Sequence, residues 1–336
     1  MRFGPVPLDE AEGSILAHSL VLPEGRLRKG LVLGPAELAR LRAAQVAEVT
    51  VARLGAGDVP EDAAAARLAA ALVPDEAGAR LGRSAAFTGR VNLNATAPGL
   101  VALDAPRIHA LNRIDPALTL ATLAPLTRVE PGMLVGTVKI IAYAVEEAAL
   151  ARAEALARAA IRILPVVRRS AGLLCTEVPG QEAKLTSKGR RSVEKRLSAL
   201  GMELLACEVT PHEAGAMADA LRRLPGEMLL ILTGSATSDL HDTAPEALRQ
   251  AGGRVARFGM PVDPGNLLFH GSFGARPVIG LPGCARSPAL NGADWVLERL
   301  ACGLEVDDEA IAAMGVGGLL KEIPLRPQPR ERRERT

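Results

Sequence analysis

The second half of the chain alternates apolar runs with helix-like segments, and this pattern restricts the folds open to it. Each apolar run is followed by a polar loop and an amphipathic segment; the runs are AGLLC (171–175), MELLACEV (202–209), MLLIL (228–232) and PVIGL (277–281). Buried strands joined to helices by short connections pack as a parallel sheet. The sequence therefore predicts a three-layer α/β domain over residues 161–310, with a mostly parallel sheet and helices on both faces.

The first half predicts a smaller α+β, partly β-rich region. Residues 1–75 contain a helix, PAELARLRAAQ, a strand, VAEVTVARL, and a second helix, PEDAAAARLAAALV, and we expect an αβ module there. Residues 76–160 show short strands separated by turns, which predicts a β-rich module ending in a linker helix over 146–160. Residues 311–336 form a tail, whose Pro/Arg-rich end (326–336) predicts disorder.

Composition and cysteine spacing indicate which classes of partner and which cellular compartment to expect. The chain has 336 residues, a net charge of +2 and 2% aromatic residues, which gives no basis for a nucleic-acid partner. No apolar run approaches the length of a membrane span, so we expect no membrane partner. Four cysteines without CxxC spacing favour a reducing, cytoplasmic location over a disulfide framework or a zinc site.

The loop TGSATSDLHDT (233–243) joins the apolar run MLLIL to the helix-like APEALRQAGG. Thr243 followed by Pro245 and Glu246 indicates a capping box that starts the helix. Backbone N–H groups at a helix start suit a phosphate. The loop adds glycine and hydroxyl groups at Gly234, Ser235, Thr237 and Ser238. The sequence thus predicts a phosphate site over this loop and Thr243.

Two carboxylates complicate that prediction. Asp239 and Asp242 repel phosphate unless a cation lies between, so the loop predicts a phosphorylated ligand together with a divalent metal. The alternative is a helix cap with one spare acid, and both interpretations stay open. His241 is a metal ligand or proton donor in the first case and an exposed loop histidine in the second.

Two further loops should reach the same edge, because ligands of parallel α/β sheets bind where strands pass into helices. Loop 176–187 and the residues directly after it (TEVPGQEAKLTSKGRR, 176–191) carry Glu177 and the cationic side chains Lys184, Lys188, Arg190 and Arg191. One interpretation is that these cations hold an anionic ligand, and the other is that they form the basic face of a surface helix. For Arg190 and Arg191, taken singly, the basic helix face is favoured. In loop 282–287, Gly283 permits close backbone approach and Ser287 before Pro288 indicates a helix cap. Arg286 contacts a phosphate or caps a neighbouring strand end.

The order of these motifs resembles a known family. TGSATSDLHDT, GMPVDPGNLLF (259–269) and GLPGCARSP (280–288) are similar to three elements of the molybdopterin-binding domain of molybdenum cofactor biosynthesis proteins, including the molybdotransferases and the gephyrin family. Upstream, residues 11–38 and 60–72 resemble the amino-terminal region of molybdotransferase-like proteins. The resemblance covers roughly residues 11–304.

The resemblance implies molybdopterin, or its nucleotide adduct, as the ligand. Asp239, Asp242 and Glu177 would hold Mg²⁺ or lie beside the molybdenum-bearing dithiolene, and Asp242 would be the catalytic residue. The implied ligand-binding residues are Thr233, Gly234, Ser235, Thr237, Ser238, Thr243, Glu177, Pro264, Gly265, Pro282, Gly283 and Ser287. A homo-oligomer is also implied.

Three functions remain open. The first is a Mg²⁺-dependent molybdotransferase, which cleaves an adenylylated pterin and inserts molybdate; the retained Asp242 favours it. The second is a non-catalytic carrier that passes the cofactor to a nucleotidyltransferase or a molybdoenzyme. Asp263 and Asn266, where molybdotransferases usually carry lysines, favour the carrier. The third is a pyridine-nucleotide pyrophosphatase, because the same domain occurs in such proteins.

Overall fold

The chain divides into two units, Met1–Leu164 and Pro165–Thr336. The computed structural model describes residues 1–180 and 183–320, the side chains of 183–185 excepted. The predicted tail end (326–336) and the side chain of Lys184 lie outside the described residues. Within the described chain no helix is both long and apolar enough to cross a membrane. The predicted division of the first unit at residue 75 stays a prediction.

The first unit contains fourteen strands and five helices. The strands are β1 (Arg2–Pro7), β2 (Ile15–Leu16), β3 (Leu20–Leu22), β4 (Gly25–Leu27), β5 (Glu48–Arg53), β6 (Asp58–Pro60), β7 (Leu81–Arg83), β8 (Arg90–Ala95), β9 (Gly99–Leu103), β10 (Leu118–Thr122), β11 (Arg128–Val129), β12 (Leu134–Ile140), β13 (Ala144–Glu146) and β14 (Ile161–Pro165). The helices are α1 (Pro35–Ala43), α2 (Glu61–Leu72), α3 (Glu76–Ala79), α4 (Ala105–Leu111) and α5 (Glu147–Ala157).

Helix α2 lies at the centre of this unit's main core. It begins after Pro60 with acidic residues in its first turn, as its sequence predicts. Its buried face packs with residues from β7 to β14 in a single hydrophobic cluster. Helix α5, predicted as the linker helix, contributes Leu150 and Ala153 to the same cluster. Arg67 of α2 fixes the pair by bonding Glu147 at 2.7 Å and Glu154 at 2.9 Å, both on α5.

The described residues of the second unit, 165–180 and 183–320, form six strands and five α-helices. The strands are β15 (Ser170–Glu177), β16 (Glu203–Pro211), β17 (Met228–Leu232), β18 (Arg254–Phe258), β19 (Phe269–Phe273) and β20 (Arg276–Leu281). The helices are α6 (Ala183–Ala199), α7 (Ala214–Arg223), α8 (Thr243–Gln250), α9 (Gly292–Ala301) and α10 (Asp308–Ala313). The unit is a mixed α/β structure, which confirms the predicted class at that level.

Its six strands form one sheet in the order β16-β15-β17-β20-β19-β18. The four strands from β16 to β20 run parallel, while β19 and β18 pair antiparallel at one edge. The four apolar runs singled out from the sequence are the four parallel strands. Because β15, β17 and β20 are parallel neighbours, their carboxyl ends lie at one edge of the sheet.

Strand β17 is buried along its whole length, as a strand covered by helices must be. Leu229 and Ile231 belong to a cluster that also contains Leu221 of α7 and Leu248 of α8. Alternate side chains point to the opposite face, where Leu232 meets α6. The approach is close: a Cβ on Gly189 of α6 would lie 2.5 Å from Leu232 Cδ2.

Candidate ligand-binding site

Hydrogen bonds join the three loops that follow β15, β17 and β20. The backbone N–H of Gly234, after β17, donates to the Thr176 hydroxyl near the end of β15 at 2.8 Å. The Arg286 guanidinium, after β20, donates to the Thr233 carbonyl. The structure therefore brings together the loops that carry Glu177, residues 233–243 and residues 282–287. Of the two interpretations of Arg286, the strand-end cap is the contact that forms.

Loop 233–243 is held by Asp242. One carboxylate oxygen accepts the N–H of Thr243 at 2.6 Å. The other accepts the N–H of Ser238 at 2.9 Å and its hydroxyl at 3.3 Å. Asp242, and not Thr243, is the N-cap of α8, so the predicted cap is wrong by one residue. A carboxylate has two acceptor oxygens and can accept N–H groups from both sides of its position in the chain, whereas a threonine hydroxyl has only one oxygen.

The same contacts set the charge of Asp242. Its partial burial acts to raise the pKa, but the N–H bonds from Ser238 and Thr243 outweigh that effect. The pKa of Asp242 therefore lies below its ordinary value, since hydrogen bonds to a carboxylate favour its charged form. The acid is an anion at neutral pH and serves as a fixed acceptor for the loop.

Several of the backbone N–H groups that were predicted to bind a phosphate already donate to acceptors within the protein. The N–H of Gly234 is directed at Thr176, and those of Ser238 and Thr243 at Asp242. An incoming phosphate would compete with these acceptors. Ser235 remains accessible with an exposed side chain, whereas Thr237 is 6% exposed and Thr233 5% exposed.

Each of the three predicted metal ligands accepts hydrogen bonds from its own neighbours in the loops. Glu177 accepts the hydroxyl of Thr186 at 3.1 Å, and Asp239 accepts the N–H of His241 at 2.8 Å. No group of three or more His, Cys, Asp or Glu residues within 1–180 and 183–320 is placed to hold a metal ion. As arranged here, these residues do not fit the Mg²⁺ site that the resemblance implies.

Loop 282–291 is held by a cation from α6. The Arg196 guanidinium pairs with Asp294 of α9 at 2.5 Å, and both side chains are only 10% exposed. It also donates to the carbonyls of Ala285, Ser287 and Ala289 at 2.8 to 3.1 Å. One buried arginine thus fixes the path of the whole loop.

The predicted helix cap in this loop is wrong. Helix α9 begins at Gly292 with Asn291 as its N-cap, in a capping box with Asp294. The Ser287 hydroxyl instead accepts the N–H of Ala289 at 3.2 Å and closes a local turn. Residues 283–286 form a short 3-10 helix after the buried Pro282, so the chain needs several more residues before α9 can start.

Pro264 and Gly265 lie against the start of α9. The Pro264 carbonyl accepts the N–H of Gly292 at 2.8 Å. Gly265 has a φ of +139°, and a Cβ there would lie 2.6 Å from the Gly292 nitrogen. A glycine is required at 265 for both reasons. The structure therefore places this segment beside the loop held by Arg196, with Asp263–Pro264 as a cis peptide bond.

Sequence patterns left three residues of this region without a role: Thr176, His212 and Arg196. Thr176 accepts from Gly234, and the same hydroxyl lies 2.9 Å from His212 Nδ1, to which it can donate. His212 follows β16, a fourth parallel strand, so the rule that gathered the other loops at one edge also applies to it. Arg196 bonds mainly to backbone carbonyls, which leave no residue-type signal.

Comparison with known proteins gives little further constraint. A family model described as a domain of unknown function, DUF8806, matches residues 5–53. Comparison with curated proteins finds no match. Among solved structures, a molybdopterin biosynthesis MoeA protein from Pyrococcus horikosii is 13% identical, with 90% of this chain and 75% of that one covered and a TM-score of 0.32. A molybdenum cofactor biosynthesis protein from Pyrococcus furiosus is 12% identical, with 91% and 66% covered and a TM-score of 0.24. At TM-scores this low, the two likenesses establish neither this chain's arrangement nor its activity.

Proposed function

We propose that the second unit binds molybdopterin or its nucleotide adduct and holds it without chemical turnover. The order and the placement of the three family-like segments support binding. The segments that resemble the molybdopterin-binding family occur in order, and two of the three are loops that hydrogen bonds join at the carboxyl edge of parallel strands. The third, around Pro264 and Gly265, lies against the helix that follows one of those loops. Ligands of open α/β sheets bind at such an edge.

The engagement of Asp242 is the observation that favours holding over turnover. Both of its carboxylate oxygens accept hydrogen bonds from the loop, and no group of three such ligands in the described part of the chain is placed to hold Mg²⁺. A general base or metal ligand needs a free lone pair directed at the substrate. The three hydrogen bonds from Ser238 and Thr243 leave about one of the four lone-pair directions of this carboxylate for that purpose. In this proposal, Asp242 holds the conformation of loop 233–243, and the ligand binds to the loop in that conformation.

The resemblance also implies a domain architecture, an oligomeric state, a location and a downstream partner for this binding protein. The second unit would be a three-layer domain, the chain would form a homo-oligomer in the cytoplasm, and the bound cofactor would pass to a nucleotidyltransferase or a molybdoenzyme. The competing version keeps Asp242 as the catalytic residue with Mg²⁺. It requires Asp242 to act through the remaining lone pair of the oxygen that Thr243 contacts, or to release the loop when the ligand binds.

A charge placed at Ser235 tests the binding site. The side chain is exposed, so Ser235→Asp should leave folding intact while repelling a phosphate nearby. We expect at least a tenfold weaker molybdopterin affinity, equivalent to about 1.4 kcal/mol. Ser235→Ala is the matched control, because it removes the hydroxyl without adding charge, and it should bind within about threefold of the wild-type protein.

Retention of the pterin after gel filtration, measured across a ligand titration, gives both affinities. If Ser235→Asp binds as well as Ser235→Ala, the phosphate does not lie at this loop. If the wild-type protein retains no pterin at all, the proposal is wrong.

A further inference from the structure

Two cysteines on neighbouring strands form a thiol pair beside the site. Cys175 of β15 and Cys207 of β16 have their Sγ atoms 4.0 Å apart. In the parallel register, Cys175 pairs with Val209 and Cys207 with Leu173. Positions two residues apart share a face of a strand, so both thiols point to the same side of the sheet.

The two thiols differ in access and in charge. Cys175 is 1% exposed. Cys207 lies on β16, an edge strand of the sheet in the described chain. Its same-face neighbours Leu205 and Val209 are 47% and 49% exposed. A small reagent can therefore reach Cys207 before it can reach Cys175.

Electrostatics favour Cys207 as the reacting thiol. The contact with Cys175 and the nearby Arg190 guanidinium lower the pKa of the Cys207 thiol. A lower thiol pKa increases the fraction of thiolate, which is the form that attacks a disulfide. By contrast, burial raises the pKa of Cys284.

We propose that Cys175 and Cys207 are a reversible dithiol–disulfide pair oxidised by low-molecular-weight disulfides. The Cys207 thiolate attacks one sulfur of the small disulfide and releases a thiolate. Cys175 then loses its proton and attacks Cys207 Sγ, which releases the second thiolate. The pair loses two electrons and two protons, and the small disulfide becomes two thiols. Because the register places the two cysteines diagonally across the strands, the backbone of β15 or β16 must shift for the Sγ atoms to close to about 2.05 Å.

The pair is well placed to affect the ligand site. Cys175 directly precedes Thr176, whose hydroxyl accepts the N–H of Gly234. Drawing the two sulfurs together moves the end of β15, and with it the anchor of loop 233–243. Disulfide formation itself does not depend on the proposed function; only an effect on pterin retention does.

The test treats the reduced full-length chain with oxidised glutathione and maps the products by mass spectrometry. Trypsin places Cys175 in residues 170–184 and Cys207 in residues 197–222. We expect these peptides to become linked, with two of the four cysteines consumed and the link lost on reduction. Cys284 should react at least about tenfold more slowly, in line with its smaller thiolate fraction.

Variants separate the two chemical steps. Cys175→Ser should stop at a glutathione adduct on Cys207, and Cys207→Ser should leave Cys175 unmodified. Cys284→Ser is the matched control and should still give linked peptides. Wild-type peptides that never become linked, or glutathione on Cys284 ahead of Cys207, would overturn the proposal without touching the proposed function. The wild-type result alone decides this, so it does not depend on the folding of any variant.

Discussion

Loops 233–243 and 282–291 follow neighbouring parallel strands but are held in opposite ways. The start of the first is anchored by Thr176 and Arg286, but its remainder is held from within by one of its own carboxylates, with Ser238, Asp239 and His241 exposed. The second is held from outside by a guanidinium on α6 that is 10% exposed. Buried charge contacts are costly to break, whereas exposed ones contribute little. We therefore expect loop 282–291 to form a fixed wall of the candidate site, and loop 233–243 to form a wall that a ligand can rearrange.

The largest expected effect follows loss of the buried arginine. Arg196→Met leaves Asp294 as a buried charge without its partner and frees several carbonyls, so we expect a loss of about 3–5 kcal/mol in the free energy of unfolding. Urea denaturation measures it. The control is Arg190→Met on the same helix, which removes an exposed i,i+4 pair with Glu194 and should cost about 0.5 kcal/mol or less. Equal effects of the two substitutions would remove the contrast between the loops.

A smaller effect is expected at the self-held loop. Asp242→Ala removes the N-cap of α8 and the contact to Ser238, for which we expect a loss of about 1 kcal/mol. Asp307→Ala is the matched control, since Asp307 is the N-cap of α10 and accepts from Ala310 at 2.8 Å. Both variants should lose similar stability, but only Asp242→Ala should speed amide hydrogen exchange at Ser238. Unchanged exchange at Ser238 would mean that Asp242 does not hold the loop.

The smallest effect is a dependence on acid. The folded pKa of Asp242 lies below its ordinary value of 3.8, so the unfolded chain binds the proton first as the pH falls. Its stabilising contribution is therefore present above about pH 4 and is lost as the pH drops through the folded pKa. Loop 233–243 should become protease-sensitive in that range, and Asp242→Asn should lose much of the pH dependence. A cleavage rate in the wild-type protein that is flat from pH 5 to pH 3 would contradict this.

Local patterns predicted the strands better than the loop ends. The apolar runs that became β15, β17 and β20 carry their own signal, because a buried strand must be apolar on both faces. The run that became β16 was predicted as a buried strand, but β16 is an edge strand of the sheet in the described chain and is only partly buried. The helix starts were less predictable. Both Asp242 and Asn291 are good capping residues, yet neighbouring Thr243 and Ser287 are equally good by type. The choice depends on where the chain turns after the strand.

The parts of the site held by tertiary contacts could not be predicted from the sequence. Arg196 was part of a basic helix with no distinguishing spacing, and its partners are mainly carbonyls placed by the fold. The engagement of Asp242 by Ser238 likewise depends on the fold of the loop. A resemblance of motifs indicates which loops matter, but whether an acid is free or engaged is a property of the folded chain.

Turnover of an adenylylated ligand tests the central claim most directly. The purified protein is incubated with adenylylated molybdopterin, molybdate and Mg²⁺, and both AMP release and pterin retention are followed. If Asp242 only holds the loop, the pterin is retained and AMP does not exceed the level seen without protein. Stoichiometric AMP release that Asp242→Ala abolishes would show that Asp242 is catalytic and would contradict the account.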